Sequence, residues 1–203
     1  VQNDLVLVTG GTGGTAQAVA SRFPNCMSPG SNDLDITISE EVKEFMEENR
    51  PKILVNCAGY IHPARVDDPS NDSVKFWERE ISVNLLGAYY CTKYALLNGA
   101  HTIINIASAA GLKGRGGWSG YSASKAGLIS LTESLVEEGV NAYCISPHRI
   151  ATKMRKDLFP DEDPNTLLDP ERIADHVLKM VKGEYPRGTH IGIAVDRTYL
   201  IER

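Results

Sequence analysis

The chain has 203 residues, enough for one well-buried core, since a chain of this size removes roughly 70% of its unfolded surface from water. Hydrophobic residues make up 42% and charged residues 23%, and the net charge of -5 argues against a nucleic-acid or acidic-membrane partner, which would favour a basic face. No apolar run approaches the roughly 20 residues needed to cross a bilayer, and the first apolar run reads as a strand rather than a leader.

Apolar and amphipathic segments alternate along the chain. Leu5, Val6, Leu7 and Val8 form a continuous apolar run that ends in Thr9-Gly10, and similar runs return at 53–55, 102–106, 140–145 and 191–195. Short apolar runs without alternation predict strands buried on both faces, as in a parallel sheet. Helical spacing covers 15–23, 39–49, 73–97, 121–138 and 170–182. Thr37 and Glu40 stand in a capping-box relation before the second helix. Gly139 closes the fourth, and Asp169, Pro170 and Gly183 bracket the last. This alternation predicts an α/β, Rossmann-like doubly wound parallel sheet in a single domain over residues 1–203. Cys26, Cys57, Cys91 and Cys144 are scattered, with no CxxC pair and no histidine at ligand spacing. They read as free core thiols in a reducing, cytoplasmic setting, and no metal centre is expected.

The first turn is Thr9-Gly10-Gly11-Thr12-Gly13-Gly14-Thr15-Ala16, between a strand and a helix. Glycine lets the backbone turn sharply and approach a pyrophosphate closely, while the following helix start presents N–H groups. Such a cluster alone also makes a plain tight turn; its place after the first strand points to a dinucleotide. Further on, Tyr121 and Lys125 stand at i and i+4, on one helix face, and Ser108 lies thirteen residues before Tyr121, just past a strand. A free phenol, with a pKa of about 10, is a sluggish acid–base group at neutral pH. A neighbouring ammonium stabilises tyrosinate, and a serine hydroxyl can hydrogen-bond a substrate oxygen as charge develops on it.

These motifs, in this order, resemble the short-chain dehydrogenase/reductase family. Gly10 and Gly14 match its glycine pattern, with Ala16 at the third glycine. Asn56-Cys57-Ala58-Gly59 is similar to its Asn-Asn-Ala-Gly motif, Asn84 to its mid-helix asparagine, and Tyr121-x-x-x-Lys125 with Ser108 to its catalytic set. The resemblance implies a hydride transfer between a nicotinamide cofactor and a small alcohol or carbonyl. Ser108, Tyr121, Lys125 and Asn84 would be catalytic, Asn84 by holding a water in a relay to Lys125. The cofactor would lie against Gly10, Gly11, Thr12, Gly13, Gly14, Thr15, Ser28, Asp35, Ile36, Asn56, Ala58, Gly59, Tyr121 and Lys125. Pro147, Ile150 and Thr152, in a segment where His148 replaces the family's glycine, would complete its site. Relatives pair through the helices that here carry Asn84 and Tyr121, which implies a homodimer or homotetramer.

Three features refine the expectation. Only about ten residues separate Phe23 from Asp33, so one βα unit of the family is missing and six strands are expected instead of seven. The stretch from Cys26 to Asn32 has no carboxylate and no lysine or arginine, which favours NADP, with NAD as the alternative. The tail, with Arg149, Arg155 and Thr166-Leu167-Leu168-Asp169-Pro170-Glu171, resembles the reductase domain of bifunctional ribitol-5-phosphate cytidylyltransferases. That implies a sugar or sugar phosphate as substrate, with Arg149 and Arg155 either gripping a phosphate or paired at the surface. Two other readings stand beside this one: a nucleotide-sugar epimerase or dehydratase, and a non-catalytic NADP-binding sensor.

Overall fold

A computed structural model describes residues 3–70 and 72–202. Its centre is a seven-stranded sheet of β1 (Val6–Val8), β2 (Cys26–Met27), β3 (Ile53–Asn56), β4 (Thr102–Ile106), β5 (Asn141–Pro147), β6 (His190–Ile193) and β7 (Thr198–Leu200), in the order β2-β1-β3-β4-β5-β6-β7. All neighbours run parallel except β6 and β7. The winding reverses between β1 and β3, the switch point at which open α/β sheets hold ligands.

The unalternating apolar runs are explained by two cores. Val6, Val8, Ile53, Val55, Ile104 and Ile106 pack on one face against α1 (Gly14–Ala20) and α8 (Pro170–Val181). Leu7, Leu54 and Ile103 face the other way, against α2 (Ser39–Asn49) and α4 (Ala88–Leu97). On that second face α6 (Ser119–Glu137) adds Leu131, Leu135 and Val136. Arg22, just past α1, pairs with Glu171 and Asp175 of α8 and ties the two helices of the first face together.

The connection from β2 to α2 holds no helix and no further strand, so the βα unit is absent as expected. The strand count is nevertheless seven, because the chain turns back at Ala194–Arg197 and adds β7 antiparallel to β6. Three residues give no periodic signal, and that strand is invisible in the sequence. Gly192 makes its pairing possible: a Cβ there would strike the Tyr199 ring.

Helix ends follow their capping residues with one exception. Gly139 and Gly183 take φ values of 87° and 73°, and the Asp169 side chain accepts from the Glu171 N–H at 3.0 Å. At α2 the N-cap is Ile38, not Thr37; the Thr37 hydroxyl donates to Asp35 at 2.7 Å instead of capping the helix. The long amphipathic stretch divides into α3 (Asp72–Ile81), a π-helical turn (Ser82–Gly87) and α4. Asn84 sits inside that π turn, a widened geometry that recurs at functional sites. Among the described residues no helix is long and apolar enough to cross a membrane.

Candidate active site

The strand ends at the switch point bring the sequence motifs together. Gly10 has φ 78°, and a Cβ on it would lie 2.7 Å from the Ala58 Cα. A Cβ on Gly11 would collide with the Ser28 carbonyl, and one on Gly13 would lie 3.2 Å from the Gly10 oxygen. These glycines therefore shape a close-walled cradle that side chains would fill. Buried Thr9 fastens its far wall, accepting from the Cys57 and Ala58 N–H groups, both at 3.1 Å. Thr12 rests over Gly30, and the Thr152 methyl lies 3.8 Å from where a Cβ on Gly14 would stand. Thr152 also caps α7 (Lys153–Leu158) by accepting from the Arg155 N–H. Pro147 ends β5, and Ile150 pairs with Leu168, which holds the 147–152 segment beside the cradle. Thr15 is buried in the first turn of α1.

Other expected cofactor residues have partners within the protein. Asn56 is 3% exposed, and its amide donates to Asn105 at 2.8 Å and Thr92 at 3.0 Å, tying β3 to β4 and α4. Asp35 accepts from the Thr37 N–H at 2.9 Å, and Ile36 packs against Gly87 of the π turn. The Asp33 carboxylate folds back to accept from the Gly30 N–H at 3.1 Å, next to Thr12. The 26–32 segment itself carries no carboxylate; Asp33, the residue that follows it, is brought back beside it by this turn.

Ser108, Tyr121 and Lys125 converge one strand over. Ser108, at the end of β4, caps the short helix α5 (Ala109–Leu112) by accepting from the Ala110 N–H at 3.1 Å. That acceptance leaves its proton free for the Tyr121 side, where the hydroxyl acts to lower the phenol's pKa. Burial holds the Tyr121 phenol above its usual pKa; the Ser108 bond pulls it down, Glu80 pushes it up and Arg155 pulls it down. Lys125 is 4% exposed and donates to the Ile106 carbonyl at 2.8 Å, with its nitrogen 5.9 Å from the Tyr121 ring centre. Burial lowers its pKa to about 8. Asn84 spends its side chain on the backbone of Tyr60, accepting from its N–H at 2.7 Å and donating to its oxygen at 2.8 Å, and on Ser124 at 3.1 Å. A Cβ on Gly59 would lie 3.6 Å from the Asn84 oxygen and 3.9 Å from the Lys125 nitrogen, so both groups border the space over Gly59.

Three residues of this neighbourhood escaped the sequence reading. Trp118 meets Tyr121 edge-on at 5.8 Å and Phe159 at 6.0 Å, and the Arg155 guanidinium lies 4.1 Å from the Phe159 ring centre. These side chains wall the approach to Tyr121. The third, Glu80, is 2% exposed and accepts from the His62 N–H at 2.9 Å. Its position four before Asn84, hence on the same helix face, was the available signal. Arg149 and Arg155 both pair with Glu162, and Arg155 reaches it at 2.6 and 2.8 Å. These bonds hold the Glu162 carboxyl down at about 2. His148 bonds the Tyr199 hydroxyl at 3.0 Å, outside this centre. All four cysteines are free thiols, with burial raising Cys57, Cys91 and Cys144 to about 12.

Comparison with known proteins identifies the family. The model of the short chain dehydrogenase family matches residues 31–163, more than half of the chain. A 3-oxoacyl-[acyl-carrier-protein] reductase of Synechocystis sp. is 32% identical over 154 residues, covering 72% of this chain and 58% of the relative. The human (3R)-3-hydroxyacyl-CoA dehydrogenase is 32% identical over 155 residues, covering 72% of this chain and 52% of the relative. The chain thus spans little more than half the length of these two. An aldohexose dehydrogenase of Thermoplasma acidophilum superposes with a TM-score of 0.83 at 22% identity, over 95% of this chain and 92% of that one. A 4-hydroxyisoleucine dehydrogenase complexed with NADH gives 0.77 at 21%, over 94% and 96%. At those identities the two solved structures share a fold with this chain.

Proposed function

Because the chain belongs to the short-chain dehydrogenase family, we propose that it is an NAD(P)-dependent oxidoreductase acting on a small alcohol or carbonyl through Ser108, Tyr121 and Lys125. The observation that carries this reading is the buried Lys125, tied at 2.8 Å to the Ile106 carbonyl two residues before Ser108, with its nitrogen 5.9 Å from the Tyr121 ring centre. When bound, a nicotinamide dinucleotide supplies or accepts the hydride. Gly10, Gly11, Gly13, Gly14, Thr12 and Thr152 would hold its pyrophosphate in the glycine cradle, which a side chain would fill. Ser108 donates a hydrogen bond to the substrate oxygen and Tyr121 gives it a proton, or takes one in the reverse direction. The Lys125 charge favours tyrosinate and so eases that transfer. Asn84 holds the 59–60 turn beside Lys125, and its own part in proton relay is proposed from the resemblance alone.

The cofactor is read as NAD in preference to NADP, on the strength of Asp33: a carboxylate by the cradle suits a ribose hydroxyl and repels a phosphate. The substrate is read as a small carbonyl compound. A sugar phosphate is less favoured, since Arg149 and Arg155 would have to leave Glu162 to grip it. The chain is further read as one domain working in the cytoplasm, as a dimer or tetramer. The test is oxidation of NADH and NADPH against a panel of small ketones, ketoses, ketose phosphates and 3-oxoacyl thioesters. Turnover with one of them that Tyr121→Phe abolishes is the expected result. Binding of cofactor with no turnover across the panel favours the sensor reading instead.

A further inference from the structure

We propose that Glu80 is a positioning residue for Tyr121, its buried carboxylate tying the first turn of α6 to the loop that carries His62. The inference rests on the reading of Tyr121 as the proton-transfer group.

Glu80 lies near the end of α3, on a helix whose other described side chains are at least partly exposed, yet it is 2% exposed itself. A buried carboxylate needs donors. Glu80 accepts from the His62 N–H at 2.9 Å, and its other oxygen stands against Gly120 in the first turn of α6, where the Tyr121 N–H acts to lower its pKa. That helix has no side-chain cap of its own, since its N-cap residue, Trp118, offers none. The carboxylate of α3 therefore performs in trans what an N-cap side chain does within a helix, and it does so at the backbone of the catalytic tyrosine. The approach depends on Gly120, where a Cβ would run into the Glu80 oxygen and lie 2.8 Å from the Trp77 ring.

The charge has a second effect. Five groups from five segments bear on the Tyr121 phenol: Ser108 after β4, Glu80 of α3, Arg155 of α7, Cys57 after β3, and Lys125 of α6. Of these, Glu80 is the carboxylate, and it opposes ionisation. Glu80 itself is faced by His62 and by the Tyr121 N–H; burial raises its pKa while both donors lower it. Glu80 thus holds the helix turn from which the phenol projects, and its charge opposes ionisation of the phenol.

The test needs no substrate, so its failure is separable from a failure of the turnover test on Tyr121. Tyrosine carrying an isotope label at the carbon bonded to the hydroxyl is incorporated, and the Tyr121 signal, assigned with Tyr121→Phe, is followed by NMR against pH. Glu80→Gln keeps the shape and one acceptor oxygen but removes the charge. Its Tyr121 should ionise at a pH lower by roughly half a unit or more. In Glu80→Ala the amide of Tyr121 should exchange with solvent about tenfold faster or more, because its acceptor is gone. Coincident titration curves over the pH range in which both proteins are folded overturn the electrostatic part. An unchanged Tyr121 amide in a folded Glu80→Ala overturns the positioning part. If Glu80→Ala does not fold, amide exchange in Glu80→Gln is read in its place, where an amide no more labile than in the parent overturns the proposal.

Discussion

The Lys125 ammonium nitrogen is 2.8 Å from the Ile106 carbonyl oxygen, so the cation is anchored to the final residue of β4, two positions before Ser108. One strand end therefore positions both the hydroxyl and the charge proposed to act with Tyr121, and variants of the three should fail in different ways.

Tyr121→Phe removes the phenolic oxygen and keeps the ring against Trp118. Turnover should fall roughly 10²–10⁴-fold, the usual contribution of a positioned acid–base group, with cofactor affinity little changed. Ser108→Ala should also lower turnover and spare cofactor binding, whereas Lys125→Met should harm both. Steady-state kinetics with a cofactor titration on each variant checks the pattern. Retention of more than about a tenth of turnover in Tyr121→Phe would remove the tyrosine from the chemistry.

Burial lowers Lys125 from 10.5 to about 8, so between these values the unfolded chain binds more protons at this site than the folded one. Stability from this group must therefore rise as pH climbs from about 8 towards 10.5, with its full cost present below that window. Lys125→Met should flatten that rise. The difference between parent and variant in denaturant midpoint against pH isolates it from other groups, and parallel curves would count against a buried ammonium.

Asp33 should govern cofactor choice. Asp33→Asn removes the negative charge beside Gly30 while leaving an acceptor oxygen for its N–H. The ratio of NADPH to NADH affinity should rise by about tenfold, or about 1.4 kcal/mol. Fluorescence titration of both reduced cofactors measures it. A parent that already binds NADPH tenfold tighter than NADH would reinstate the preference read from the 26–32 segment.

Glu162 has a depressed carboxyl, from 4.5 to about 2, through its bonds to Arg155 and Arg149. The stability it contributes is present above about 4.5 and lost as pH falls towards 2. Glu162→Gln should lower the melting temperature at neutral pH and have a diminishing effect as the medium is acidified. A constant offset at every pH would mean that the arginines are not what Glu162 answers to.

The parts of this molecule legible in sequence are those written in periodicity or in contiguous motifs. The strands near Leu7, Leu54 and Ile104 announced themselves as unbroken apolar runs because both faces are covered. Tyr121 and Lys125 share a helix turn, so four-residue spacing found them. What stayed hidden was made by contact between distant segments. Asp33 reaches Gly30 through a turn, Glu80 reaches the Gly120 turn of α6 from α3, and Asn56 donates to Asn105 on the neighbouring strand. In each case the residue type was visible, but the direction of its side chain was set by tertiary packing.

The missing βα unit leaves β2 as the outermost strand on its side, and that strand is two residues long. A sheet border ordinarily presents a ladder of amides on which a foreign strand can build, and aggregation follows from a long one. Here Pro24 and Pro29 bracket Cys26–Met27, and a proline has no amide proton to offer. The border is self-terminating: a stray strand would find too short a ladder to add to, so the fold can be abbreviated at this side without becoming adhesive.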